Sequence, residues 1–108
     1  MGVLDGVPVL KHRIASAIVL AVCVSGCAAG HAYRQGQEAS RVGDWDSAVT
    51  HYTKAVQESP EKAEYKIALE RAVQNASREH LTRAHELETH DQLDAALLEY
   101  RRALELDA

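Results

Sequence analysis

Two stretches of the sequence repeat each other and decide the fold. Residues 45–58 read WDSAVTHYTKAVQE, and residues 93–106 read LDAALLEYRRALEL. Four pairs of residues match at a constant offset of 48: Trp45 with Leu93, Ala48 with Ala96, Tyr52 with Tyr100, and Ala55 with Ala103. Small and large residues at spacings of three and four are typical of helices that pack closely on one another. The repeat predicts two copies of one helical unit.

Helix-breaking residues lie where such units need boundaries. After Gly43 the chain has no further glycine, and its only proline beyond the amino-terminal leader is Pro60. The sequence predicts a first helix over 29–42, ended by Gly43. A second helix is expected to begin with Asp44 or Asp46 as its cap, because either carboxylate can accept a hydrogen bond from the first turn.

Two further helices are predicted in the rest of the chain. Ser59, Pro60 and Glu61 form a start signal, because they supply an N-cap, a proline whose missing N–H costs nothing, and an acid for the helix dipole. No breaker follows for several turns, so a helix over 61–89, about 43 Å long, is expected. Asp91 is expected to cap a last helix.

The repeat resembles the tetratricopeptide repeat, a unit of two antiparallel helices about 34 residues long. Residues 29–62 match one unit through Gly36, Gly43, Trp45, Ala48, Tyr52, Ala55 and Pro60. The second unit matches through Ala84, Leu93, Ala96, Tyr100 and Ala103. It begins near Ser77, about four helical turns later than a simple tandem repeat would place it. The resemblance implies an all-α fold of antiparallel helix pairs, a short α-solenoid, whose second unit has a lengthened first helix.

The start of the chain is typical of a secretion leader. Lys11 and Arg13 precede an uncharged run over 14–24, which is followed by small residues and Cys27. A helix needs about 20 apolar residues to cross the hydrocarbon core, so this run is too short for a permanent span. The order of basic, apolar and small residues indicates a cleaved signal peptide.

The four residues Val24-Ser25-Gly26-Cys27 resemble the lipobox of bacterial lipoproteins. In that family the cysteine thiol receives a diacylglyceryl group and the leader is cut just before it. The resemblance implies that residues 1–26 are removed and that Cys27 carries the lipid anchor. Ala28 stands where the family uses aspartate to retain proteins in the inner membrane, which implies an outer-membrane location facing the periplasm. The alternative is an ordinary signal peptide cut near Ala28 or Ala29, with Cys27 discarded.

Composition argues against several classes of function. Residues 27–108 carry ten Lys or Arg against fifteen Asp or Glu, which makes nucleic acid an unfavourable partner. His80, His85 and His90 are spaced by five, so they point in different directions around a helix and are expected on a solvated polar face, without a metal site. The sequence contains no recognisable nucleophile and base arrangement and no phosphate loop. We therefore expect no enzyme activity, no cofactor and no small-molecule substrate.

The resemblance to tetratricopeptide repeats implies a function in binding proteins. In that family the first helix of each unit lines a concave surface. By position, this surface consists here of Tyr33, Gln37, Arg41, Arg78, Leu81, His85 and Glu88. Arg41 and Arg78 are expected to hold acidic side chains or a terminal carboxylate through paired hydrogen bonds.

Two alternatives to a lipid-anchored lipoprotein that binds and assembles other proteins remain open. Residues 64–71 are similar to the amino-terminal region of some secretin-type secretion or pilus channels of the outer membrane. A helical appendage of an enzyme is the other alternative.

The predicted organisation is a signal peptide over 1–26, the lipidated cysteine with the first unit over 27–62, and the second unit over 63–108. The last helix presents more apolar surface than one preceding helix covers: Ala96, Leu97, Leu98, Leu104 and Leu106. We therefore expect the chain to continue past Ala108, or its last helix to be covered by a partner or by self-association.

Overall fold

The computed structural model describes residues 26–108, and the regular structure in this range is entirely helical. Helix α1 covers 26–41 of the described range, α2 runs over Trp45–Glu58, α3 over Ala63–Thr89 and α4 over Leu93–Asp107. The predicted all-α class is confirmed. The predicted signal peptide, apart from Gly26, lies outside the described residues.

Helix α3 carries the other helices on its two halves. Near its start, Tyr65 packs in a core cluster with residues of α1 and α2, and Ala72 packs in a second such cluster. Its second half faces α4, where His80 contacts Glu99 and His85 contacts Tyr100. Because α3 has 27 residues and is therefore about 40 Å long, it has room for one helix pair and then a further helix along its length.

The core is built from alanine and tyrosine. Its buried apolar residues are Ala29, Ala32, Ala48, Tyr52, Ala55, Tyr65, Ala72, Ala76, Ala84, Ala96 and Ala103. Alanine lets two helix backbones approach closely, and the tyrosine rings fill the space that remains. Because most core side chains are small, the fold depends on close backbone approach rather than on a large apolar interior.

The turns between α1 and α2 and between α3 and α4 have the same geometry. Gly43 and Asp91, 48 residues apart, both adopt a left-handed conformation, with φ of 78° and 59°. In each turn the next residue, Asp44 or Gln92, donates its backbone N–H to the carbonyl five residues earlier at 2.9 Å. These hydrogen bonds satisfy carbonyl groups at the end of the preceding helix. Asp91 tolerates a conformation that favours glycine because its short polar side chain stabilises it locally.

The predicted caps are correct for α2 and wrong for α4. Asp44 is the N-cap of α2, and its carboxylate accepts a hydrogen bond from the backbone N–H of Ser47 at 3.2 Å. Asp91 does not cap α4, because it forms the left-handed position of the turn. Gln92 stands at the N-cap instead, without a side-chain hydrogen bond.

The predicted start of α3 is two residues too early. The helix begins at Ala63, with Lys62 at its N-cap, and not at Glu61. Ser59 is buried and terminates α2, because its backbone N–H donates to the carbonyl of Ala55 at 3.0 Å. The capping residue predicted for α3 therefore belongs to the end of the preceding helix.

Gly36 marks a close approach between α1 and α2. A Cβ atom at Gly36 would lie 2.5 Å from two ring carbons of Tyr52, whereas a Cβ at Gly30 would meet no atom within 4 Å. We expect Gly36→Ala to displace the Tyr52 ring and lower the free energy of unfolding by about 1–3 kcal/mol. Gly30→Ala should raise it by up to about 1 kcal/mol, since alanine favours helix.

Thermal and urea melting of both variants checks this expectation. A Gly36→Ala variant that unfolds at or above the midpoint of the parent chain would show that the two helices do not pack closely at this residue.

Candidate functional site

A histidine buried in the middle of α3 joins three helices. His80 is 3% exposed. Its Nδ1 lies 2.6 Å from Oε2 of Glu99 on α4, and its Nε2 lies 3.0 Å from Oδ1 of Asp46 at the start of α2. An ionised carboxylate only accepts hydrogen bonds, so both ring nitrogens must carry a proton to bond both partners. With both carboxylates ionised, this arrangement requires the imidazolium form of His80, which then bridges α2, α3 and α4.

The carboxylate of Glu99 is buried among three cationic side chains. Besides its contact with His80, its Oε1 accepts a hydrogen bond from Nη1 of Arg102 at 3.0 Å. Its Oε2 lies 3.5 Å from Nη1 of Arg83, and Arg83 also pairs with Glu79 at 2.7 Å. Within residues 26–108 no buried side-chain nitrogen or oxygen lacks a hydrogen-bond partner. The desolvation of these charges is thus compensated within the cluster.

The environment favours the charged form of both central residues. Burial lowers the pKa of His80, but the hydrogen bonds with Glu99 and Asp46 outweigh burial and raise the pKa above its usual value of 6.5. Burial raises the pKa of Glu99, but the hydrogen bond with His80 and the charges of His80, Arg102 and Arg83 hold it below its usual value of 4.5. Each charge stabilises the other.

The prediction that His80 lies on a solvated polar face is wrong. His80 stands at spacings of four from Ala76 and Ala84, so it lies on the face of α3 that carries the buried alanines. At the offset of 48 it corresponds to Ala32, which is also buried. In the sequence, the position of His80 between two alanines at spacings of four indicates a core histidine with partners on other helices. The neighbouring His85 and His90 are exposed.

A groove runs along a different face of α3, beside Trp45 of α2. Arg71, Asn75, Arg78 and Thr82 line it at spacings of four, three and four, which places them on one stripe of the helix. The groove consists of two adjoining hollows that share Trp45 and Asn75. Arg71 and Arg78 are exposed and form no ion pair with another described residue. Their guanidinium groups therefore face solvent beside an indole ring.

The structure divides the predicted partner-binding residues between this groove and other surfaces. Tyr33 and Arg78 line the groove. Tyr33 is also held in place, because its ring stacks on Tyr65 with centroids 4.6 Å apart and its hydroxyl donates to Glu64 at 3.1 Å. The other five predicted binding residues are exposed but do not line the groove: Gln37, Arg41, Leu81, His85 and Glu88.

Some of these exposed residues have partners within the chain. Arg41 pairs with Glu38 at 2.6 Å on the surface of α1. The hydroxyl of Tyr100 lies 3.1 Å from Nδ1 of His85 and donates to Glu88 at 2.9 Å. The sequence did not single out Arg71 or Asn75. Arg71 is exposed and forms no ion pair with another described residue, whereas Asn75 is half-buried and its amide donates to the carbonyl of Arg71 at 2.9 Å. They lie in the part of α3 that exceeds an ordinary repeat helix, so alignment with the family does not assign them.

Comparison with protein-family models, curated proteins and solved structures gives no match. Across residues 26–108, no set of three or more histidine, cysteine or acidic side chains is arranged to hold a metal ion. No helix in that part of the chain has the length and apolar character needed to span a bilayer. A functional assignment therefore rests on the repeat, the groove and Cys27.

The His80 cluster predicts a specific dependence of stability on pH. The folded-state pKa of His80 is raised, so its contribution is complete below 6.5 and is lost as pH rises through the folded-state value. The pKa of Glu99 is lowered, so its contribution is present above 4.5 and is lost as pH falls through the folded-state value. The cluster should stabilise the fold most between these two values.

Replacing His80 should remove the alkaline part of this dependence. We expect His80→Gln to lower the free energy of unfolding by about 1–3 kcal/mol near pH 6, and by less at pH 9. Urea unfolding from pH 4 to pH 9 measures this free energy for the parent chain and for His80→Gln. The control is His31→Gln, at an exposed histidine. A parallel profile for His80→Gln and the parent chain would contradict the charged state of His80.

Proposed function

We propose that the chain is a lipid-anchored protein-interaction module of the bacterial cell envelope, built from two helix pairs of the tetratricopeptide type. The observation that carries the proposal is a repeated hairpin: α1 and α2 form the first, and the second half of α3 with α4 forms the second. Both turns use the same hydrogen bonds at an offset of 48 residues. In each hairpin a tyrosine hydroxyl also bonds the residue twelve positions earlier, Tyr52 to Ser40 and Tyr100 to Glu88. Stacked hairpins of this kind present extended surfaces to other proteins.

The groove beside Trp45 indicates what kind of segment such a module would bind. Two guanidinium groups, of Arg71 and Arg78, lie one heptad apart on the same stripe of α3. Guanidinium groups bind carboxylates through paired hydrogen bonds, and an indole ring adds apolar contact area. Beyond Arg78 the groove is lined by Glu86 and by Glu79, which pairs with Arg83. The stretch from Arg71 to Arg78 therefore favours a short extended segment with acidic side chains or a terminal carboxylate.

The position of Cys27 supports the anchored form of this module. Its side chain is exposed, and the described residues contain no second cysteine with which it could pair. Ala29, two residues later, is fully buried and belongs to the core. A lipid on Cys27 would thus attach at the edge of the folded unit without disturbing it. The lipobox and Ala28 favour the periplasmic face of the outer membrane.

Lipidation is tested by replacing the cysteine. We expect Cys27→Ala to leave the chain unprocessed or to release it from the membrane, because the thiol is the only group that could receive the diacylglyceryl chain. Metabolic labelling with a fatty acid and mass measurement of the mature amino terminus check this. An unmodified mature chain that starts at Ala28 or later would contradict it. Cys23→Ala, in the leader, is the control.

Binding in the groove can be followed through Trp45, the only tryptophan of the chain. A short peptide with three glutamates should change the fluorescence of Trp45 and bind less tightly as salt is added. Arg71→Glu and Arg78→Glu should each weaken binding roughly tenfold, about 1.4 kcal/mol. Arg101→Glu, exposed on α4, is the matched control. Equal weakening by all three variants would show a general charge effect and not a site.

A further inference from the structure

The second hairpin leaves an apolar face uncovered. Leu93, Leu97 and Leu104 of α4 are 62%, 50% and 70% exposed. At 3.6 residues per turn they lie within about 40° of one another around the helix. Leu81 of α3 is 40% exposed. Together these four leucines form an open face.

The same face of the first hairpin is covered by a helix. At the offset of 48, the open face corresponds to Tyr33, Trp45, Val49 and Val56. All four are partly buried, and they pack on core clusters that contain Tyr65 and Ala72 of α3. The first half of α3 is therefore the cover of the first hairpin.

A buried tyrosine and its counterpart show the effect of this cover. Tyr52 is 5% exposed, in contact with α3. Tyr100, its counterpart 48 residues later, is only partly buried. Both hydroxyls bond the residue twelve positions earlier, but Tyr52 accepts from Ser40 whereas Tyr100 donates to Glu88. The two hairpins have similar internal geometry, so the difference is the helix that covers the first.

We propose that the open face binds an amphipathic α-helix of another protein, in the orientation that residues 63–76 take on the first hairpin. This deepens the protein-binding function proposed above, but it rests on the repeat and not on Cys27 or the groove. In the first hairpin the covering helix presents an aromatic, a small, a large and a small residue: Tyr65, Ala68, Leu69 and Ala72. The partner helix has about four turns and a stripe of this kind.

The charges around the open face define the flanks of the partner helix. Glu88, Asp94 and Glu105 are exposed on the helix surfaces beside the leucines, and so are Arg78 and Arg101. Three acids against two arginines give this rim a small net negative charge. A partner helix with lysine or arginine beside its apolar stripe therefore fits slightly better than an acidic one, and the attraction should weaken with salt.

The experiment supplies the missing cover within the same chain. Ala108 corresponds to Pro60 at the offset of 48, so a copy of residues 61–76 appended after Ala108 continues the repeat. Attachment gives the added helix a high effective concentration at the open face. We expect the melting temperature of the full chain to rise by more than about 5 °C. A control extension carries serine in place of the copied Tyr65 and Leu69, and it should give no rise.

Two further measurements decide between occupants. Leu97→Asp in the extended chain should abolish the rise, because it places a charge in the contact. Sedimentation of the chain without the extension should show a monomer. A rise that survives Leu97→Asp, or no rise at all, would overturn the proposal. A dimer that Leu97→Asp dissociates would also overturn it, since a second copy would then be the occupant. Peptide binding at Trp45 is measured separately and does not depend on these outcomes.

Discussion

The arrangement of the two hairpins depends on the charged imidazolium of His80. Helices α2 and α4 pack on different halves of α3, and the cluster of Asp46, His80 and Glu99 is where the two halves meet. A buried ion pair adds little net stability, because desolvation offsets most of its attraction. Here the ion pair fixes the position of α4 along α3. If α4 slipped by one turn along α3, Glu99 would be buried without its partners, which is far more costly than the loss of one apolar contact.

This constraint suits a core that consists mainly of alanine. Small side chains permit close helix contacts but specify their register weakly, because one alanine replaces another with little change in shape. The first hairpin fixes its register through Tyr52, whose ring lies where Gly36 leaves room for it. The second hairpin has Ala84 in place of that glycine. It uses the polar cluster, so the two hairpins obtain specificity by different means.

Local patterns predicted the helices well, and tertiary contacts account for the errors. The all-α class, the turn at Gly43 and the cap at Asp44 follow from breakers and caps that act within a few residues. Asp91 was misplaced because a left-handed turn position and an N-cap favour the same residue type. His80 was misplaced because its partners are 34 and 19 residues away in sequence. The groove was partly missed for a similar reason, since Arg71 and Asn75 become neighbours of Trp45 only when α2 packs on α3.

The short distance between Cys27 and the core limits how far a lipid anchor on Cys27 would let the folded unit move from the membrane. Only Ala28 separates the cysteine from Ala29, which is fully buried, so a lipidated chain would have no spacer between membrane and folded unit. Helix α3 begins beside this anchored end, where Tyr65 packs near Ala29. It extends about 40 Å along its axis. A lipid on Cys27 would therefore hold the folded unit close to the headgroups, with the open face on α4 and the second half of α3, away from the anchored end. Partners would have to reach the open face close to the membrane surface, because no flexible segment would let the unit move away from the bilayer.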